Sequence, residues 1–114
     1  MELEDYQREA ANNPGRDCPI CKTLELLQGK WTLYVIFELS KVDAIRFGEL
    51  KKNLPGITNT MLTSTLRFLA EHELVSRIQY NEIPPHVEYS LSEAGKALYP
   101  IFVEIGKWGK KYLK

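Results

Sequence analysis

Phe47-Gly-Glu-Leu-Lys-Lys-Asn-Leu-Pro-Gly-Ile-Thr58, continued by Asn59-Thr-Met-Leu-Thr-Ser-Thr-Leu-Arg67, is the stretch whose reading decides the fold. Phe47, Leu50 and Leu54 stand at helical spacing and predict a short first helix. Pro55-Gly56 ends it, because proline carries no backbone donor and glycine accepts a reversed backbone. A second helix opens at Thr58 with two unlike faces. Leu62, Leu66 and Leu69 lie on one; Thr60, Thr63, Ser64 and Arg67 lie on the other. Two helices about a tight turn, the second apolar inside and short and polar outside, predict a helix-turn-helix. Downstream, Val75-Ser-Arg-Ile-Gln-Tyr80 and Val87-Glu-Tyr-Ser-Leu91 alternate in polarity and are rich in β-formers, so they predict a two-stranded hairpin. Asn81-Glu-Ile-Pro-Pro-His86 cannot continue that ladder, since its prolines lack donors, and is expected to form the tip of a wing.

Upstream, residues 1–16 are polar and close on Asn12-Asn-Pro-Gly-Arg16, a loop signal, so they are expected to be an arm, as a short helix or partly disordered. Residues 17–114 would form the domain. Cys18-Pro19 begins a helix, since proline suits its first position, and Ile20, Leu24 and Leu27 give that helix an apolar stripe. Gly29 stops it. Lys30-Trp-Thr-Leu-Tyr-Val-Ile-Phe-Glu-Leu39 is apolar nearly all round and is expected to be a helix buried at the domain centre. A connection follows, with room for a short strand near Ile45. At the other end, Ser92 caps one last long helix running to the C-terminus. Leu98, Ile101, Phe102, Ile105, Trp108 and Tyr112 form a broad stripe on it, with Tyr99, Val103 and Leu113 beyond. One stripe docks a helix on its own domain; the surplus predicts a homodimer, with Ile101, Ile105, Trp108 and Tyr112 at the interface and the N-terminal helix contributing. The expected fold is mainly α with a small β-hairpin.

The totals agree with one compact domain: 114 residues, 44% hydrophobic and 26% charged, which gives a packed core rather than disorder. No apolar run is long enough to span a bilayer, and Met1-Glu-Leu-Glu-Asp-Tyr6 lacks the basic-then-apolar pattern of a secretion signal. A cytoplasmic protein with no membrane partner is expected. Formal net charge is zero, which taken alone argues mildly against a nucleic-acid partner. The distribution softens this. Residues 1–29 hold three basic and six acidic side chains, net −3, and residues 30–114 hold twelve and nine, net +3.

Thr58, Asn59 and Thr60 open the second helix, where unpaired backbone N–H groups and the positive dipole end point outward and suit a phosphate or base edge. Thr60, Ser64 and Arg67 follow at three- and four-residue steps on one face, with Thr63 beside them. Arginine grips guanine bidentately, and short hydroxyl side chains let a helix approach a groove closely. The bland reading is an ordinary solvated face. Lys51 and Lys52 on the preceding helix are candidates for phosphate contact, though for any single lysine a solubility role fits as well. In the wing, Arg77, Asn81 and His86 are candidates for backbone or minor-groove contact; for Arg77, pairing with an acidic neighbour such as Glu88 is the alternative. Tyr80 and Tyr89 are expected to pack within the hairpin.

Cys18-Pro-Ile-Cys21 is a C-x-x-C motif with three readings. A thioredoxin-like redox motif needs a βαβ setting, which this helix-rich start does not supply. A zinc site needs two more ligands, and His72 and His86 fit no common zinc spacing. The third is a thiol sensor: Cys18 lies at a helix start, where the dipole lowers a thiol pKa. Against it stands the plain use of cysteine as a small buried apolar residue.

These residues together resemble the HxlR-type winged helix-turn-helix regulators of bacteria, relatives of the MarR-like regulators. The resemblance rests on Cys18-Pro19, Gly29-Lys-Trp-Thr32, Arg46-Phe-Gly-Glu-Leu50, Pro55-Gly-Ile57, Met61-Leu62, Leu66-Arg67, Pro84-Pro-His-Val-Glu-Tyr-Ser-Leu91 and Trp108-Gly109, in the right order over nearly the whole chain. It implies a dimeric transcription factor whose wings flank a palindromic operator, and a cysteine near the N-terminus that in some members senses electrophiles or oxidants. One position departs: Glu73 stands where the family usually has glycine before Leu74-Val75, so the turn after the recognition helix is expected to be built differently. No catalytic set, phosphate loop or metal cluster is recognisable, so neither enzyme activity nor a cofactor is expected. The expected partners are double-stranded DNA, a second copy of the chain, and a small-molecule or oxidant signal. A winged-helix adaptor that binds protein without DNA is the competing function, with the neutral net charge in its favour; a thiol oxidoreductase, resting on C-x-x-C alone, is a third.

Overall fold

Leu50, Leu62 and Leu69 are completely buried, and around them the two helices of the central motif are assembled. The structure, a computed structural model, describes residues 1–12 and 18–114. The loop expected at residues 13–16 and the boundary of the arm lie outside the described residues. Among the described residues the elements run in order α1 (Leu3–Ala11), α2 (Pro19–Leu27), α3 (Thr32–Ser40), β1 (Ile45–Arg46), α4 (Phe47–Lys52), α5 (Asn59–Glu71), β2 (Val75–Tyr80), β3 (His86–Leu91), α6 (Glu93–Lys96) and α7 (Tyr99–Tyr112).

The turn between α4 and α5 follows from its sequence. Asn53 closes α4, Leu54 and Ile57 drop into the core, and Gly56 takes φ +91°, a conformation that costs a residue without Cβ little. The Trp31 ring lies beneath this turn, with its edge 3.9 Å from where a Gly56 side chain would start. From α5, Leu62, Leu66 and Leu69 join Val35, Ile36 and Leu39 of α3 in one core with Leu74, Val75 and Leu91. Each fully buried leucine contributes about 1.5–3 kcal/mol relative to an exposed one.

Three expectations are corrected and one is extended. First, the expected hairpin forms, and the short strand for which there was room near Ile45 joins it. β1 pairs with β3, Ile45 opposite Tyr89 and Arg46 opposite Glu88, giving a three-stranded antiparallel sheet in the order β1-β3-β2. β2 and β3 pair from Val75–Leu91 to Tyr80–His86. Second, the turn after α5 is not built differently. Glu73 itself takes the left-handed conformation, φ 59°, while Glu73 N–H donates to Ala70 and Leu74 N–H to Leu69. That is a Schellman stop with glutamate in the glycine position. Third, the long final helix is two. Ser92 caps only α6, and the chain breaks at Ala97 and Leu98 before α7. Pro100 explains the break: inside a continuous helix it would clash with, and fail to bond, the carbonyl four residues back. Fourth, α3 is not buried all round. Val35, Ile36 and Leu39 are inside, but Tyr34 and Phe37 stay exposed.

α6 meets the sheet closely. A Cβ at Gly95 would run into the Leu74 carbonyl oxygen, so only glycine fits there. α7 leans on the domain through Leu98 and Phe102, whose ring sits 5.6 Å from that of Phe37. α1 buries none of its side chains.

Candidate nucleic-acid interface

Helix α5 begins with Thr58 in extended conformation, its Oγ1 accepting from the Met61 N–H at 3.1 Å. This cap satisfies one terminal donor and leaves the first-turn N–H groups of Asn59 and Thr60 facing out. Asn59, Thr60, Thr63, Ser64 and Arg67 are all exposed, against a fully buried opposite face. The structure therefore brings together the residues that spacing had grouped. Glu71 is an addition the sequence reading missed: it stands four residues after Arg67, exposed on the same face. A carboxylate there repels phosphate, so the usable face ends at Arg67. The i, i+4 step from Arg67 could have shown this.

Lys51 and Lys52 close α4; Lys51 is half-buried, and Lys52 is exposed with Nζ 3.3 Å from Glu49. Among exposed groups such a pair is loose and exchanges readily for another anion. In the wing, Arg77 lies opposite Tyr89 in the ladder. Successive strand residues face opposite sides, so Arg77 and the neighbouring Glu88 point away from each other and the suggested ion pair is not made. Glu88 instead meets His86 Nε2 at 3.1 Å, while His86 Nδ1 lies 3.5 Å from Glu82. The imidazole also stacks on Tyr80, ring centroids 4.7 Å apart. His86 is thus held inside the wing, and of the three wing candidates Asn81 and Arg77 are the exposed ones. Tyr89 packs against the core, as expected.

Cys18 is the N-cap of α2, and its sulfur accepts the Cys21 N–H at 3.3 Å. Hydrogen bonds from the Cys21 backbone, from the Cys21 side chain and from the Ile20 backbone hold the Cys18 thiol below its ordinary pKa, against a smaller opposing effect of burial. Both cysteines are free of disulfides and half-buried. The far end of α2 faces α5: Glu25, Gln28 and Thr32 line a cleft of about 280 Å³ with Ser64, Thr65 and Phe68.

On the other side of the molecule α7 is poorly covered. Ile101, Ile105, Trp108 and Tyr112 are each between 45% and 59% exposed. A cleft of about 430 Å³ runs between α3 and α7, lined by Leu33, Tyr34, Phe37, Phe102 and Ile105. Among the described residues no cluster of metal-ligating side chains occurs, and no helix is long and apolar enough to cross a membrane.

A three-stranded sheet whose hairpin follows a helix-turn-helix defines a winged helix-turn-helix protein. The chain belongs to the HxlR-like helix-turn-helix family, whose model matches residues 26–114. It is 40% identical over 94 residues to the HTH-type transcriptional regulator YdzF of Bacillus subtilis, covering 82% of this chain and 86% of that one. A solved structure described as a MarR-family transcriptional regulator of Porphyromonas gingivalis superposes with a TM-score of 0.82 at 43% identity, covering 88% of this chain and 97% of that one. The redox regulator HypR in its oxidized form superposes with a TM-score of 0.76 at 37% identity, covering 85% and 99%.

Proposed function

We propose that this helix-turn-helix regulator of transcription acts as a homodimer that lays α5 of each protomer in the major groove of one half of an inverted-repeat operator. The observation that carries this reading is the exposed face of α5, where Asn59, Thr60, Thr63, Ser64 and Arg67 stand clear over a helix anchored by three buried leucines. Arg67 reads a base edge, and the short hydroxyl side chains allow the close approach this requires. Thr58 and the first-turn N–H groups hold a phosphate. Lys51, Lys52, Arg77 and Asn81 contact the backbone on either side and fix the register. His86 contributes by shaping the wing, since both its ring nitrogens already face carboxylates.

The exposed apolar residues of α7 supply the surface for the second copy. Two recognition helices would then stand about 34 Å apart, one turn of DNA. The lowered thiol pKa at Cys18 supports a response to oxidants in the same molecule, and the reading implies a cytoplasmic site of action beside the DNA. A titration of labelled promoter fragments from upstream of the protein's own gene, followed by fluorescence anisotropy at two salt concentrations, tests it. Saturable binding to one inverted repeat, weakened by salt, is the expected outcome. Identical affinity for that repeat and for scrambled DNA would overturn it and leave a protein-binding adaptor.

A further inference from the structure

Cys21 has no part in the reading above, yet it is from its backbone N–H that the Cys18 sulfur accepts a hydrogen bond. We propose that Cys18 and Cys21 form a reversible disulfide within one chain, Cys18 being the attacked residue and Cys21 the one that resolves it. The inference deepens the redox part of the proposed function and rests on it.

Three observations converge. The two residues lie one helical turn apart at the start of α2, with the Cys18 sulfur 3.3 Å from the Cys21 N–H. The Cys21 side chain is also among the groups that hold the Cys18 thiol below its ordinary pKa. Pro19 pins the backbone between them at the first helical position. Pairs in a C-x-x-C at a helix start carry one thiolate of enhanced availability, and donors at the end of α2 give this role to Cys18. Both side chains are partly open to solvent, so a small oxidant reaches them.

The chemistry balances with one hydroperoxide. The Cys18 thiolate attacks the peroxide oxygen, the O–O bond breaks, and the departing alkoxide takes a proton to leave as alcohol. Cys18 is now a sulfenic acid. The Cys21 sulfur attacks the Cys18 sulfur, the S–S bond forms, the S–O bond breaks, and hydroxide leaves with the Cys21 proton as water. Two thiols and one hydroperoxide give one disulfide, one alcohol and one water. A dithiol reductant reverses the change by exchange.

The bond takes the Cys18 sulfur out of its capping role and resets the first turn of α2. That helix is nine residues long, and its last turn packs Leu26 and Leu27 on the core while Glu25 and Gln28 face Ser64 and Thr65 of α5. One helix thus has the thiol pair at its start and, at its end, residues that line a cleft with α5.

The test uses the full chain and hydrogen peroxide at stoichiometric dose, with intact mass, a non-reducing gel and peptide mapping as readouts. The expected product is lighter by two hydrogen atoms per chain, migrates as a single chain, and maps to a Cys18–Cys21 link. Cys21→Ser should stop at a Cys18 sulfenic acid that dimedone traps, and Cys18→Ser should lose the rapid reaction. A disulfide between chains, a stable Cys18 sulfenic acid in the wild type beside an alkylatable Cys21, or an unreactive pair would each overturn the proposal. Operator affinity is measured in parallel, with an expected change of about 5- to 150-fold on oxidation that reductant restores. Failure to bind any operator when reduced speaks against the proposed function; a missing intrachain link speaks against this inference alone.

Discussion

Ser92 Oγ donates a hydrogen bond to the carbonyl oxygen of Glu73, 2.6 Å away and nineteen residues earlier in the chain. The bond joins the stop of the recognition helix to the end of the wing. Ser92 N–H also donates to the Leu74 carbonyl at 3.0 Å, so the contact is a small ladder. It holds α5, β2 and β3 in a fixed relation, as the proposed grip of helix and wing on one duplex requires.

Glu73 is held at φ 59° by this arrangement. A left-handed conformation costs a residue with a Cβ roughly 1–2 kcal/mol, partly offset by the greater chain entropy that glycine loses on folding. Glu73→Gly should therefore raise stability by up to about 1 kcal/mol, read as a higher urea midpoint at unchanged slope. Glu73→Val should lower it.

Ser92 does two jobs with one oxygen, capping α6 through the Gly95 N–H at 3.1 Å and bonding Glu73. Removing a capping side chain costs about 0.5–2 kcal/mol. Ser92→Ala should fall at the upper end of that range in urea denaturation, and Ser92→Thr should recover most of it.

On DNA, Arg67→Ala should weaken specific binding by about 1–3 kcal/mol and relax the preference at one base pair. Lys51→Ala should instead weaken all sequences alike and flatten the salt dependence by about one unit. Anisotropy titrations against the operator and its single-base variants separate the two effects.

Replacing Ile105 or Trp108, both more than half exposed, with glutamate should leave the fold intact and yield single chains. Light scattering at micromolar concentration reads this directly, with circular dichroism as the control for folding. A wild type that already scatters as one chain would remove α7 as the partner surface.

Because the folded-state pKa of Cys18 is lowered, its thiolate persists to lower pH than in the unfolded chain. The stabilisation that accompanies this is present above the unfolded pKa and is lost as pH falls through the folded one. Alkylation of Cys18 by iodoacetamide should accordingly reach half its maximal rate at a lower pH in the native protein than in urea, where the ordinary thiol value is about 8.5. Peptide mapping after timed quenching checks it.

Much of this architecture could be read from local pattern. Pro55-Gly56 marked the turn, three leucines at helical spacing marked the buried side of α5, and alternation with Pro84-Pro85 bounded the wing to within one residue. What escaped depends on partners distant in sequence. The pairing of β1 with β3 needs Ile45 to meet Tyr89, a relation that no window of neighbouring residues contains. Arg77 and Glu88 looked compatible by charge, and only the register places them on opposite faces. Glu73 looked like a broken rule at a glycine position, yet the bonds from Ser92 and Leu74 impose the conformation the side chain disfavours. The apolar stripe runs on through α6 and α7 and so predicts one helix; the break comes from the backbone at Pro100, which hydrophobic period does not report. For the candidate DNA-contact residues, grouping by face was legible, and the four-residue step from Arg67 to Glu71 was legible too; the pairing of His86 with Glu82 and Glu88 became visible only with neighbours in place.

The break before α7 gives the molecule a lever. Its fourteen residues make a rod of about 21 Å, fixed to the domain through Leu98 and Phe102 near one end. A tilt of about 5° at that fulcrum carries the far end through about 2 Å at the helical rise of 1.5 Å per residue. In the proposed dimer two such rods, joined back to back, would set the distance between the two reading heads, and a bend at Ala97 and Leu98 would change how well the pair straddles one turn of DNA. A single proline would thereby make that spacing an adjustable quantity, one that small changes in packing around Phe37 and Phe102 tune.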